Sequence, residues 1–326
     1  MSVFDTSRLR RQVIAIGLVL TAGIIFAATG IVFATGMITP YTNFYSLYTG
    51  ALPEPPEEEA EISRAERVAR ALVQAYPRRV LKAEYRDGDC AVLLRDTWFY
   101  YAEGRLLPQE LLHRASEYRP ITFHDNYPRE MPEWTPPTAE QAADLRQRSG
   151  TWASQLPRAP YFFDALYRAR SFEESYTRVQ TMRFLGNQIT VHHSIMEELA
   201  LVEQRILDAA RTNPRVMAWI SNIDEVHGWN WRNLGGSQTR SFHAYGAAID
   251  IMPRALGGRS VYWRWAGPNW FTIPYERRYH PPDVVIEAFE AYGFIWGGKW
   301  RFFDTIHFEF RPEVIILSGI PMETVR

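Results

Sequence analysis

The stretch SFHAYGAAID, residues 241–250, places a histidine seven positions before an aspartate in a run of small and apolar residues. His243 follows Arg240 and Ser241, and Asp250 follows the apolar residues 247–249, which are typical of a strand. Burying a carboxylate is costly unless it is paired with another charge or bound to a metal ion. The stretch therefore predicts a partner for Asp250 elsewhere in the chain.

The composition excludes several classes of protein. With 326 residues the chain is long enough for one or two domains with a proper core. Lys and Arg number 36 against 37 Asp and Glu, so no global basic charge indicates a nucleic-acid partner. The single cysteine, Cys90, excludes an internal disulfide framework and a Cys-rich zinc site. The 11 tryptophans are as compatible with an aromatic core as with a sugar or peptide groove.

The N-terminal region predicts a membrane anchor. Residues 13–38 form an apolar run, and a bilayer span needs about 20 residues. Arginines precede the run and acidic residues follow it, so the positive-inside rule places residues 1–12 in the cytoplasm. We expect a single-pass protein of the inner (cytoplasmic) membrane with its remaining residues in the periplasm or otherwise extracytoplasmic. A cleaved signal peptide is the alternative, although its apolar region spans only about 7–15 residues.

Two segments follow the predicted anchor. Residues 39–60 are rich in proline and glutamate and read as an extended linker. Residues 61–118 read as a small α+β module: Ser63 and Glu66 form a capping-box pattern at the start of a helix that Pro77 ends. Strands with turn signals between them follow. This module carries no evident catalytic cluster.

The remaining chain is predicted to form a larger domain. Residues 119–156 are Pro-rich and read as a second linker or an ordered wrap, and residues 157–326 as the domain itself. A long helical region is expected over roughly 157–212. Beyond residue 215 the pattern changes to short strands and Gly-rich loops. One further helix is expected between Pro282 and Gly293.

The residue types in this domain favour a metal site. A catalytic zinc ion takes three protein ligands from His and Asp or Glu, a count that His243, Asp250 and His307 supply. A turn at Gly246 would return Asp250 to His243. A separate carboxylate has to accept a proton from the attacking water, and Asp304 is available for it. On spacing alone, a buried His–Asp pair with a surface histidine remains the alternative.

Glu309 follows His307 by two positions in HFEF. In a strand these two side chains share one face, so Glu309 is a candidate partner for the imidazole of a ligand histidine. A salt bridge at the rim of the site is an equally good interpretation.

The two motifs together resemble a known family. SFHAYGAAID matches the S-x-H-x-x-G-x-A-x-D signature of the VanY-type, or LAS, zinc peptidases, which include D-alanyl-D-alanine carboxypeptidases and L-alanyl-D-glutamate endopeptidases. GFIWGGKW followed by D-x-x-H-F-E, within residues 293–310, is similar to their second motif. The resemblance covers about residues 190–312. It implies Zn²⁺ held by His243, Asp250 and His307, with Asp304 as the catalytic base.

The resemblance also implies a fold, an arginine and a substrate. The fold is α+β, a small antiparallel sheet with flanking helices. The arginine stabilises the anionic intermediate: Arg232, in GWNWR, is the first choice and Arg240 the substitute. Ser241 conforms to the motif and is expected to orient His243 or the substrate. The implied activity is hydrolysis of peptidoglycan stem peptides by a membrane-anchored zinc peptidase. A catalytically inactive wall-binding module and a peptidase with a non-wall envelope target are the alternatives.

Overall fold

The structure, a computed structural model, describes residues 63–121 and 127–323. All of these residues fall within one of the two compact units of the chain. The predicted anchor at 13–38, with residues 1–12 and the linker 39–60, lies outside the described residues. Among the helices that are described, none is both long and apolar enough to span a bilayer.

Residues 63–121, called the N-terminal module below, combine one helix with one antiparallel sheet. Its helix α1 begins where the capping pattern predicts, because Ser63 Oγ accepts a hydrogen bond from the Glu66 backbone N–H at 3.2 Å. The sheet order is β1-β2-β3-β4. The elements are α1 (Arg64–Ala75), β1 (Val80–Arg86), β2 (Asp89–Leu94), β3 (Thr97–Tyr100) and β4 (Leu107–Pro108), with 3-10 helices at Ala102–Gly104 and Gln109–Glu117.

The Pro-rich segment 119–156 contains a helix that the sequence analysis did not predict. Helix α2 spans Ala139–Gly150, and a reciprocal capping box between Thr138 and Gln141 opens it. A 3-10 helix at Trp152–Ser154 follows. The proline clusters all precede the helix, so the proline content of the whole segment does not indicate the structure of residues 139–150.

The prediction of a long helical region over roughly 157–212 is wrong for the middle of that range. Two short helices, α3 (Tyr161–Tyr167) and α4 (Phe172–Tyr176), are followed by a hairpin of β5 (Val179–Phe184) and β6 (Asn187–His192). Leu185 and Gly186 both have positive φ, 47° and 83°, as a tight two-residue hairpin turn requires. A helix starts only at Met196, after a 3-10 turn at His193–Ile195.

The central sheet of the larger domain is antiparallel, in the order β7-β8-β10-β9. Its strands are β7 (Ile223–His227), β8 (Ala248–Pro253), β9 (Phe294–Trp296) and β10 (His307–Phe310). The helices are α5 (Met196–Ala210), α6 (Pro214–Ser221), α7 (Asp283–Ala291) and α8 (Pro312–Leu317), with 3-10 helices at Phe242–Tyr245, Trp270–Thr272, Tyr275–Arg277 and Gly297–Lys299. The α+β class with small antiparallel sheets and helices is therefore confirmed.

The side-chain alternation of β10 separates the core from the candidate site. Phe308 stacks on Phe289 of α7 with ring centroids 3.8 Å apart, so this residue faces the helical layer. Its neighbours His307 and Glu309 point to the opposite face, because side chains alternate along a strand. The helices thereby fix the sheet while leaving the ionisable side chains of β10 on its other face.

Candidate metal centre

Asp250 and His307 come from neighbouring strands. β8 and β10 pair in antiparallel register with His307 directly opposite Asp250. Side chains in such a pair project from the same face of the sheet. His307 Nδ1 accordingly lies 2.8 Å from Asp250 Oδ1.

His243 comes from the 3-10 helix that precedes β8. Ser241 Oγ accepts a hydrogen bond from the backbone N–H of His243 at 3.3 Å, which fixes the start of this helix. The helix ends at Gly246, whose φ of 66° lies in the left-handed region. A Cβ there would lie 2.6 Å from the backbone nitrogen of His192, so glycine alone fits. The predicted turn at Gly246 is confirmed.

The side chains of His243, Asp250 and His307 converge on one point. His243 Nε2 lies 3.2 Å from His307 Nδ1 and 3.2 Å from Asp250 Oδ2. One ligand atom from each residue falls within 4.8 Å of the others, a spacing that could hold a metal ion. Both imidazoles are buried, and the carboxylate is partly buried.

The second nitrogen of each imidazole is held by an oxygen atom. His243 Nδ1 lies 2.7 Å from the carbonyl oxygen of Gly228, and His307 Nε2 lies 3.2 Å from Glu309 Oε2. With a proton on each of these nitrogens, the lone pairs of His243 Nε2 and His307 Nδ1 both face Asp250. Two histidines held in this way and one carboxylate make the donor set of a catalytic zinc site, so the residues fit Zn²⁺.

The pKa values of Asp250 and His307 are shifted by their mutual contacts. Burial alone would raise the pKa of Asp250, but the charges and hydrogen bonds of His243 and His307 outweigh it and hold that pKa well below its usual range. Burial alone would lower the pKa of His307, yet hydrogen bonds to Asp250 and Glu309 raise it to about 10. The cluster therefore favours a cation, and a bound metal would take the place of the proton on His307.

Asp304 stands beside this cluster. An antiparallel bridge pairs it with Tyr262, and its backbone carbonyl accepts the His307 N–H at 3.2 Å. Within the described residues its Oδ1 atom is buried without a hydrogen-bond partner. Burial raises the pKa of Asp304 to about 7, while the charges of His307 and Arg232 oppose that shift. A carboxyl group with this pKa is suited to accept and return a proton near neutral pH.

The two candidate arginines have different surroundings. Arg240 forms an ion pair with the buried Asp164, and its Nη1 donates to the carbonyl oxygen of Ala169 at 3.0 Å. The Arg232 side chain is exposed and, within the described residues, makes no side-chain hydrogen bond or ion pair. Its charge nevertheless acts on Asp304. Arg240 is therefore engaged in the fold, whereas the Arg232 side chain is exposed to solvent.

Comparison with known proteins identifies the segment that carries the site. A family model described as D-alanyl-D-alanine carboxypeptidase matches residues 235–310. The segment includes His243, Asp250, Asp304 and His307. This confirms the resemblance to the VanY-type peptidases. A second family model, described as a domain of unknown function (DUF8518), matches residues 68–123. No curated protein and no solved structure matches the chain.

The VanY-type match indicates a hydrolase, but it does not include Arg232. It begins at residue 235, after Arg232, so the assignment of Arg232 stays a prediction. Lys299, in the WGGKW stretch, is buried, and its Nζ lies 2.7 Å from Glu290 Oε1 and 2.7 Å from the Arg129 carbonyl oxygen. Lys299 is therefore engaged in contacts within the fold.

A set of buried charges that was not predicted from the sequence continues from β10. Glu309 is buried, so the rim interpretation is wrong: Oε2 contacts His307, and Oε1 accepts from Arg311 Nη1 at 3.1 Å. Arg311 in turn binds Glu313, and both are fully buried. Only the first contact had a signal in the sequence: His307 and Glu309 are two positions apart in β10 and therefore share a face. Arg311 follows the strand and Glu313 lies in α8, so strand alternation does not extend to them.

Proposed function

We propose that this protein is a membrane-anchored zinc peptidase that hydrolyses peptide bonds of peptidoglycan stem peptides. The convergence of His243 Nε2, His307 Nδ1 and the Asp250 carboxylate, each imidazole being oriented through its other nitrogen, carries the proposal. The VanY-type match supports the reaction class and the wall substrate. The anchor and the extracytoplasmic location rest on the apolar run at residues 13–38.

The side chains around the centre divide the chemistry among them. His243, Asp250 and His307 would hold Zn²⁺, which supplies Lewis-acid polarisation and a water with a pKa of about 7. Asp304 accepts the proton of the attacking water at its free Oδ1 and returns it to the leaving amine. Arg232 places a positive charge where the substrate carbonyl becomes negative. Ser241 and Gly246 hold the backbone that positions His243.

The ectodomain, purified from residue 39 onward with Zn²⁺, should shorten the stem peptides of isolated muropeptides. Mass analysis separates the two activities of the family, because a carboxypeptidase releases a terminal D-alanine and an endopeptidase cleaves after L-alanine. An ectodomain that binds zinc yet leaves every muropeptide intact would contradict the proposed substrate. It would then favour the binding module or the non-wall peptidase.

Substitution of the two arginines separates substrate contact from stability. Arg232→Ala should lower kcat by about 10²–10³-fold, the usual cost of losing one stabiliser of an oxyanion, with the unfolding midpoint unchanged. Arg240→Ala should instead lower the free energy of unfolding by about 3 kcal/mol, because it leaves Asp164 buried without its charge partner. Steady-state kinetics and urea unfolding measure both. The reverse pattern would transfer the catalytic role to Arg240.

A further inference from the structure

A buried chain of polar contacts connects the metal centre with the N-terminal module. It starts at His307 Nε2, passes through Glu309, Arg311 and Glu313, and ends at Tyr76, whose hydroxyl donates to Glu313 Oε2 at 2.7 Å. Glu309 and Tyr76 are almost completely buried, and Arg311 and Glu313 are completely buried. In a continuous buried network of this kind, neighbouring hydrogen bonds polarise and strengthen one another.

Donors and acceptors alternate along this chain. Glu309 accepts from His307 at one oxygen and from Arg311 at the other. Glu313 accepts from Arg311 at one oxygen and from Tyr76 at the other. Two carboxylates thus share one guanidinium, and each takes its second donor from outside the trio. If the donor at either end, His307 or Tyr76, is lost, one oxygen of a buried carboxylate is left without a hydrogen bond, which is destabilising.

Tyr76 belongs to the N-terminal module. It is the C-cap residue directly after α1, and its ring packs edge-on against Phe310 of β10 at a centroid distance of 6.5 Å. The module and the larger domain share one hydrophobic core, which includes Leu72 of α1 and Phe308 of β10. The hydroxyl of Tyr76 is therefore held in place by packing from both parts of the chain.

We propose that Tyr76 is a positioning residue for the metal centre, so that the N-terminal module contributes to the geometry of that centre. Tyr76 fixes Glu313, Glu313 fixes Arg311, and Arg311 fixes Glu309. Glu309 in turn orients the His307 ring so that Nδ1 faces the metal. The inference rests on metal binding by His243, Asp250 and His307 under the proposed function, but not on peptidase activity or on its substrate.

The test is the zinc affinity of Tyr76→Phe in the ectodomain, measured by competition with a chromophoric chelator. The variant loses one hydroxyl and keeps the ring that packs on Phe310. Partners behind a metal ligand typically change metal affinity by about 10–100-fold, and for this distant member we expect a loss of about tenfold. The absorption spectrum of the Co²⁺-substituted variant should also change, because the orientation of His307 changes.

Tyr292→Phe is the matched control. The Tyr292 hydroxyl donates to Glu323 Oε2 at 2.8 Å, the same kind of bond, without a connection to the chain at His307. Its zinc affinity and Co²⁺ spectrum should equal those of the wild type. Glu313→Gln keeps the side-chain shape, breaks the charge pairing with Arg311 and should weaken zinc binding in the same direction as Tyr76→Phe.

The possible outcomes distinguish a positioning role of Tyr76 from a purely structural one. If Tyr76→Phe unfolds at a lower temperature but binds zinc as tightly as the wild type with an unchanged Co²⁺ spectrum, Tyr76 has only a structural role and the inference is wrong. If the wild type itself binds no zinc, the proposed metal centre fails along with the inference. Weaker zinc binding in Tyr76→Phe and in Glu313→Gln, but not in Tyr292→Phe, supports it.

Discussion

Replacing His243 with alanine should remove zinc from the protein and stop hydrolysis. His243 supplies one of the three convergent ligand atoms, and its loss leaves Asp250 and His307 as a buried ion pair with two ligands at most. The Lewis-acid contribution of a catalytic metal is worth several kcal/mol, so turnover should fall by about 10³-fold or more. Metal analysis of the purified ectodomain should give about one zinc per chain for the wild type and none for the variant.

The control for this substitution is His280→Ala. The ring of His280 contacts the carbonyl oxygen of Tyr275 at 2.9 Å and lies outside the cluster of metal ligands. The control should retain zinc and full turnover. A His243→Ala variant that binds zinc with wild-type affinity would show that the metal centre lies elsewhere. A wild type that binds no zinc at any pH near neutrality would contradict the proposed metal centre altogether.

The metal cluster could be predicted from sequence because each of its parts is local. His243 and Asp250 are joined by a short segment in which Gly246 allows the one turn that brings them together. The spacing of Asp304, His307 and Glu309 is likewise set within one loop and one strand. What the spacing could not supply is the β8–β10 register that sets His307 opposite Asp250. The resemblance to the VanY-type family supplied that pairing.

The predictions that were wrong depended on context beyond the local pattern. The β5–β6 hairpin lies inside the region predicted to be helical, and its turn rests on Leu185 and Gly186, which both have positive φ. The buried position of Glu309 depends on Arg311 and, through Glu313, on Tyr76. Tyr76 is remote in sequence from these charges, so no periodicity could connect them.

Asp304→Asn should separate metal binding from catalysis. Asparagine has nearly the shape of aspartate and leaves the three metal ligands in place, so the variant should retain about one zinc per chain and a wild-type unfolding midpoint. It cannot accept the proton of the attacking water, and loss of a general base costs about 10²–10⁴-fold in kcat. Asp208→Asn, an exposed acid paired with Arg211, is the control and should keep full turnover. If Asp304→Asn loses zinc, the residue serves the metal rather than the proton. If it retains zinc and turns over at the wild-type rate, another group is the base, and the free Oδ1 of Asp304 plays no part in the reaction.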